Sequence, residues 1–304
     1  MNHNLLHEMR KFAMTTDLHT HTAYSYDAAD RPLRQHVQAA IQGGIDVLGF
    51  TEHLEFFRTD ALSASDFAPD EVDFAGYARE IAPFRSGRMI LPDIAAQQRD
   101  IAACREEFVG TITLRAGIEM GQPHAAPELA DKLQKEFSFD YVIGSIHQTA
   151  ADMDMYFYRY ENINQNDFLH AYFDEMEAML AYGHFQILGH IDYPLRVMKL
   201  PHNRPSLKGY MERVDIILKG IIERGIALEC NAKGLFGWQQ SVGPEDFVLT
   251  RYRELGGTYI TTGSDSHAPE SIGAGIPQAL DRLRAFGFAY ITDFENGKAI
   301  QHRL

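Results

Sequence analysis

The chain has 304 residues, with 28 Lys and Arg against 42 Asp and Glu and a formal net charge of −14. That balance argues against nucleic acid or an anionic membrane as the main partner, because phosphate-rich surfaces select basic proteins. At 45% apolar and 11% aromatic residues it has material for a large core, which excludes a disordered or fibrous chain.

In chain order, residues 1–14 read as an N-terminal extension without the apolar stretch of a signal peptide. No segment approaches the roughly 18 consecutive apolar residues of a membrane helix, so the expected compartment is the cytoplasm. A strand is predicted over 15–21, a helix over 33–43 and a second strand over 45–52. The pattern then breaks: Asp60, Asp66, Asp70, Glu71 and Asp73 stand among Phe57, Phe67, Phe74 and Tyr77, ahead of a helix at 92–108. An excursion of this length after a strand is more often an active-site wall or lid than a domain, which makes 54–110 a lid candidate. Strands follow at 112–119, 140–146, 185–191, 226–231 and 258–264, separated by helices at 126–137, 166–182, 208–224, 244–255 and 270–286. Several helices run into glycine, as at Gly183, Gly225 and Gly287, in keeping with C-terminal caps.

This alternation predicts an α/β fold with parallel strands, either a closed barrel or a doubly wound sheet. No G-x-G-x-x-G or Walker A sequence follows a strand, which removes the best signal of a nucleotide-binding open sheet and favours one barrel domain over 1–304. Cys104 and Cys230 form no C-x-x-C pair and read as buried small hydrophobes.

Histidine is the commonest metal ligand, and the chain has 14. The first strand ends D-L-H-T-H-T, and residues two apart in an extended chain share a face, so His19 and His21 can reach one ion. His53 follows the second strand in G-F-T-E-H, Glu119 the third in A-G-I-E-M-G and His147 the fourth in G-S-I-H. The fifth ends L-G-H-I-D with His190 and Asp192, and the seventh T-G-S-D-S-H with Asp265 and His267. A lone histidine at a strand end is usually structural. Six of seven strands carrying such a group at the same end is the pattern of a barrel active site. Imidazoles and carboxylates without thiolate suit Zn, Mn or Fe ions.

This ordered set resembles the polymerase and histidinol phosphatase (PHP) superfamily over residues 15 to about 275, and most of all its bacterial histidinol-phosphate phosphatases. The resemblance implies a distorted (β/α)₇ barrel and a centre of two to three divalent ions. It implies that His19, His21, Glu119 and Asp265 hold one ion, Glu119 with His147 and His190 a second, and Asp27, His53 and His267 a third. Asp265, His267 and Glu119 are then the candidate catalytic residues. Asp27 departs from the histidine that many such phosphatases carry at this place; an oxygen ligand tilts the site toward Mn or Fe(II), and a turn or capping aspartate is the other reading.

On the substrate side, Arg159 and Arg196 resemble arginines that grip phosphate in the family, and guanidinium matches phosphate oxygens bidentately. Lys233, after the sixth strand, is a third candidate. Glu229 and Asn231 share a face and read either as selectors of a substrate amine or as structural support. Trp238, Tyr156 and Tyr158 read as walls for an imidazole ring or as ordinary packing. The remaining histidines (His3, His7, His36, His124, His170, His184, His202 and His302) are bystanders. The expected activity is phosphomonoester hydrolysis, with L-histidinol phosphate as first substrate. Another small phosphate, such as a nucleotide or sugar phosphate, and a non-catalytic metal-binding regulatory module are the alternatives.

Overall fold

A computed structural model of the chain describes residues 14–62, 71–149, 151–200 and 204–304. Most of the N-terminal extension, His3, His7, His202, Asp66, Phe67 and Asp70 lie outside the described residues.

The first half runs β1 (Thr16–Asp17), α1 (Leu33–Gln42), β2 (Val47–Phe50), β3 (His53–Phe56), α2 (Phe74–Ile81), β4 (Arg85–Ser86), β5 (Met89–Ile90), α3 (Ile94–Glu107), β6 (Thr113–Gly121), α4 (Pro127–Glu136) and β7 (Tyr141–Ser145). The second runs α5 (Gln165–Tyr182), β8 (Ile187–Leu188), α6 (Tyr193–Val197), α7 (Met211–Arg224), β9 (Ala227–Asn231), α8 (Asp246–Glu254), β10 (Ile260–Gly263), α9 (Ile276–Ala285), β11 (Tyr290–Glu295) and β12 (Lys298–Arg303). Glycine ends α5 and α7 as the sequence predicts, at Gly183 and Gly225. Asn164 accepts from the Asn166 and Asp167 backbone N–H groups at the start of α5, and Gly183, at φ 71°, stops it in the left-handed conformation.

The strands form a mixed sheet with a parallel majority. β1, β2, β6, β7, β8, β9 and β10 pair in parallel in that order. Beyond β10 the backbone returns to the first strand: the Leu18 N–H donates to the Thr262 carbonyl at 2.9 Å, and the Thr16 and Thr262 hydroxyls meet at 2.9 Å. Inside this array Leu18, Val47, Tyr141, Ile143, Ile187 and Ala227 pack with Phe294 of β11. The buried Tyr141 hydroxyl donates to the Leu18 carbonyl at 2.7 Å. Gly49 makes room for it, since a Cβ there would lie 1.7 Å from the Tyr141 oxygen.

Four features depart from the sequence expectation. His53 does not cap the second strand: β2 ends at Phe50, and His53 opens β3, which pairs His53 with Glu119 of β6. The excursion carries its own structure, with β5 adding antiparallel to β3 and β4 antiparallel to β5. The helix expected from 270 begins at Ile276, after a 3₁₀ turn over Pro269–Ser271. The antiparallel hairpin β11–β12 was not predicted; it is anchored by Arg115, which donates to buried Asp293 at 2.8 Å and to Glu295 at 2.6 Å. Its outward residues are polar, so it lacks the apolar run that marks the other strands.

Candidate active site

The C-terminal ends of the parallel strands converge on one buried cluster. His19, His21, Glu119, His147 and His190 are each at most 2% exposed. Glu119 sits at the centre: its Oε2 lies 3.2 Å from His19 Nε2 and 3.0 Å from His53 Nδ1, and its Oε1 2.9 Å from His190 Nε2 and 3.3 Å from His147 Nε2. His21 Nε2 stands 3.6 Å from both Glu119 Oε2 and Asp265 Oδ1. Toward the opening, Asp27 Oδ2 lies 2.9 Å from His267 Nε2 and 3.4 Å from His53 Nε2. All nine expected ligand residues therefore meet in one place.

The donor set fits metal ions. Among the described residues, four triads offer ligand atoms within 4.8 Å of one another: His19–His21–Asp265, His19–Glu119–His190, His21–His53–His267 and His53–Glu55–His147. His19 Nε2, His21 Nε2, His53 Nδ1 and Glu119 Oε2 are buried and make no hydrogen bond among the described residues, although a protein interior rarely leaves such atoms orphaned.

Carboxylates behind the cluster set the rings. Glu229 Oε1 lies 2.7 Å from His19 Nδ1, and its Oε2 accepts from the His190 backbone N–H at 2.7 Å. Glu229 is buried and so engaged, which places it in support of the histidines and not against a substrate amine. Gly263 permits this approach, since a Cβ there would lie 2.4 Å from His19 Cβ and 2.5 Å from Glu229 Oε1. Glu55 Oε1 lies 2.8 Å from His147 Nδ1. Ser25 donates to Glu52 at 2.8 Å and accepts from the His53 backbone N–H at 3.0 Å. Sequence reasoning missed Glu55 and Glu52; Glu55, two residues after His53, carried the same two-residue signal as His19 and His21.

Electrostatics follow from this crowding. Burial works against charge on every member, yet Glu119 and Glu229 hold His19 well above its ordinary value, and Asp27 and Glu119 do the same to His53. His147, against the same burial, is pushed up to about 10 by Glu55 and Glu119. Burial also opposes ionisation of Asp265, but His19 and Arg196 hold its carboxyl well below the usual range. Burial with the neighbouring His53 and His267 charges lowers His21.

A cavity of about 550 Å³ opens over the cluster, lined by Asp27, His53, His147, His190, Arg196, Lys233, Asp265 and His267. Arg196 Nη1 donates to Asp265 Oδ2 at 2.7 Å, while its Nε and Nη2 are buried and make no hydrogen bond among the described residues. Lys233 Nζ donates to the Asp265 carbonyl at 2.8 Å; Asp265 turns that carbonyl by adopting φ 53°, a left-handed conformation that aspartate tolerates better than most residues. Asn231 donates to Asp265 Oδ2 at 3.2 Å and so belongs to the same brace. Arg159 is not brought to the site: it is exposed, absent from the cavity lining, and its backbone N–H is tied to the Glu71 carbonyl at 2.6 Å. Asp192 is also elsewhere, buried and accepting from Gln239 at 2.7 Å. Trp238 and Tyr156 line the cavity; Tyr158 is buried and does not.

The profile of the PHP domain matches residues 17–233, a span that holds seven of the nine clustered ligand residues. The chain belongs to the PHP domain family. Among PHP relatives, a probable histidinol-phosphatase of Deinococcus radiodurans is 27% identical over 91% of this chain and 95% of its own. A probable histidinol-phosphatase of Clostridium acetobutylicum is 28% identical over 88% and 92%. A histidinol-phosphatase of Lactococcus lactis is 27% identical over 93% and 95%. The crystal structure of a Lactococcus lactis histidinol phosphate phosphatase complexed with Zn, L-histidinol and phosphate shares the fold, with a TM-score of 0.70 at 22% identity over 94% of this chain and 98% of that one. Among the described residues of this PHP protein, no helix is long and apolar enough to cross a membrane.

Proposed function

We propose that this PHP protein is a metal-dependent phosphomonoester hydrolase that converts L-histidinol phosphate and water to L-histidinol and phosphate. Relatives named as histidinol-phosphatases, matched over about nine-tenths of both chains, support the substrate. The observation that carries the reaction class is Arg196: a guanidinium held by Asp265 beside the histidine cluster, whose Nε and Nη2 are buried and make no hydrogen bond among the described residues. An unpartnered, desolvated guanidinium edge matches two phosphate oxygens.

In this reading the parallel strands form a distorted seven-stranded barrel, since backbone and hydroxyl hydrogen bonds join β10 to β1. The chain is one domain over 1–304, and the described part of the 54–110 excursion contributes Glu80 to the cavity lining. His19, His21, Glu119 and Asp265 would hold one ion, Glu119, His147 and His190 a second, and Asp27, His53 and His267 a third, of Zn, Mn or Fe. When bound, such ions stabilise phosphate oxygens as Lewis acids and lower the pKa of water toward about 7.

The chain's own residues do the rest. Arg196 orients the phosphoryl group while Asn231 and Asp265 fix its other edge. Asp265 remains a carboxylate at neutral pH and is available to accept a proton from the attacking water. Lys233 adds positive charge to the phosphate side and braces the Asp265 turn. A phosphate-release assay across histidinol phosphate, nucleoside monophosphates and sugar phosphates, with added Zn, Mn and Fe(II), tests the proposal. Preferred turnover of histidinol phosphate is expected; turnover of no ester with any metal would reduce the protein to a metal-binding module.

A further inference from the structure

Ser25 stands in the turn that follows β1, between His21 and Asp27, and is buried. Its hydroxyl has three neighbours: Glu52 Oε2 at 2.8 Å, the His53 backbone nitrogen at 3.0 Å and His21 Nδ1 at 3.3 Å. A hydroxyl offers one proton and two lone pairs. A carboxylate only accepts and a backbone N–H only donates, so the Ser25 proton goes to Glu52 and one lone pair takes the His53 N–H. What remains for His21 is a lone pair. His21 Nδ1 therefore donates, which leaves its Nε2 without a proton, facing Glu119 Oε2 and Asp265 Oδ1 at 3.6 Å each.

Glu52 makes the direction of that bond compulsory. It is fully buried and also accepts from the Thr22 N–H at 2.9 Å and the Thr22 hydroxyl at 2.7 Å, so both of its oxygens are committed to donors from the turn. Without this anchor the preference of the ring reverses. The carboxylates of Glu119 and Asp265 face Nε2, and their attraction would draw the single imidazole proton to that nitrogen. A nitrogen that holds a proton cannot ligate an ion. Through the His53 N–H the same hydroxyl ties the start of β3 to the turn, and the His21 and His53 rings stack with their centroids 4.2 Å apart.

We infer that Ser25, anchored by Glu52, is a positioning residue that holds the His21 proton on Nδ1, keeps Nε2 free for an ion and couples this ring to His53 at the neighbouring ion. The inference rests on the reading of His21 and His53 as metal ligands.

The test uses the full chain, stripped with chelator and titrated in turn with Zn, Mn and Fe(II). Long-range proton–nitrogen NMR of the metal-free protein reports which ring nitrogen carries the proton. Wild-type His21 should carry it on Nδ1, a result that needs no variant. Ser25→Ala should move it to Nε2 and lower Zn affinity about 10- to 100-fold, the usual cost of losing a group behind a ligating histidine. Ser25→Thr, which returns the hydroxyl, should restore the Nδ1 proton and recover part of the affinity. Thr22→Val takes a hydroxyl from the same carboxylate without touching the Ser25–His21 bond, so it should keep the proton on Nδ1 and bind Zn as wild type does. A wild-type ring protonated on Nε2, unchanged Zn affinity in Ser25→Ala, or an equal loss in Thr22→Val overturns the Ser25 assignment while leaving the metal reading intact. Wild-type protein that takes up none of the three metals overturns both.

Discussion

Glu55 Oε1 stands 2.8 Å from His147 Nδ1, while the other nitrogen of that ring faces Glu119 Oε1 at 3.3 Å. One imidazole is thus fixed between a supporting carboxylate and a central one. Glu229 repeats the arrangement behind His19.

Removing such a support weakens the centre without deleting a proposed ligand. Glu55→Gln and Glu229→Gln should each lower metal affinity about 10- to 100-fold, the usual cost of losing a carboxylate behind a ligating histidine. Competition titration against a metal-sensitive dye measures this directly. Glu119→Gln should do more damage than His53→Ala, because Glu119 serves two proposed ions. Unchanged affinity in both supporting variants would show that the two carboxylates only fill space.

Metal loading should release protons. In the metal-free chain His19 and His53 lie well above their ordinary value and His147 at about 10, so all three carry protons at neutral pH that a ligand nitrogen must shed. Calorimetry in buffers of different ionisation enthalpy should count more than one proton per chain. The linked stability has a definite sign: the His147 contribution to the metal-free fold is full below its ordinary 6.5 and is lost as pH rises through about 10. Metal affinity runs the other way and rises with pH. Loading without proton release would contradict these charge states.

Arg196 and Arg159 separate cleanly. Arg196→Ala should lower kcat/KM about ten- to a hundred-fold through loss of a charged hydrogen bond, with metal content unchanged. Arg196→Lys should recover only part of that, having charge without the paired edge. Arg159→Ala, on the exposed surface, should leave kinetics unchanged. The opposite ranking in steady-state kinetics would reverse the placement of the phosphate grip.

Much of the centre was legible because strand alternation is a strict geometric rule. His19-x-His21 and Asp265-x-His267 share faces, and all seven predicted strands occur in the parallel array. The failures have equally specific causes. Arg159 looked equivalent to Arg196 by residue type, yet the tertiary path of the 151–160 segment turns it outward. The β11–β12 hairpin escaped notice because its outer strand is solvated and the two buried apolar residues of β11, Ile291 and Phe294, are split by Thr292 and Asp293 instead of forming an apolar run.

The ion pair of Arg115 with Asp293 is a stability prediction. Arg115 is largely buried and Asp293 fully so, with Nη2 to Oδ2 at 2.8 Å. Asp293→Ala leaves the buried Arg115 guanidinium with only the half-exposed Glu295 as partner and should cost up to about 3–5 kcal/mol. Urea or thermal unfolding of the metal-loaded protein measures the loss. A change below about 1 kcal/mol, the range of an exposed pair, would mean that this pair does not anchor the hairpin.

The most direct test of the whole account is to titrate metal into chelated protein while following both bound ions and phosphate release from histidinol phosphate. The account predicts no turnover in the metal-free protein and activity that returns as two to three ions bind per chain. Full turnover with fewer than one ion per chain would contradict it.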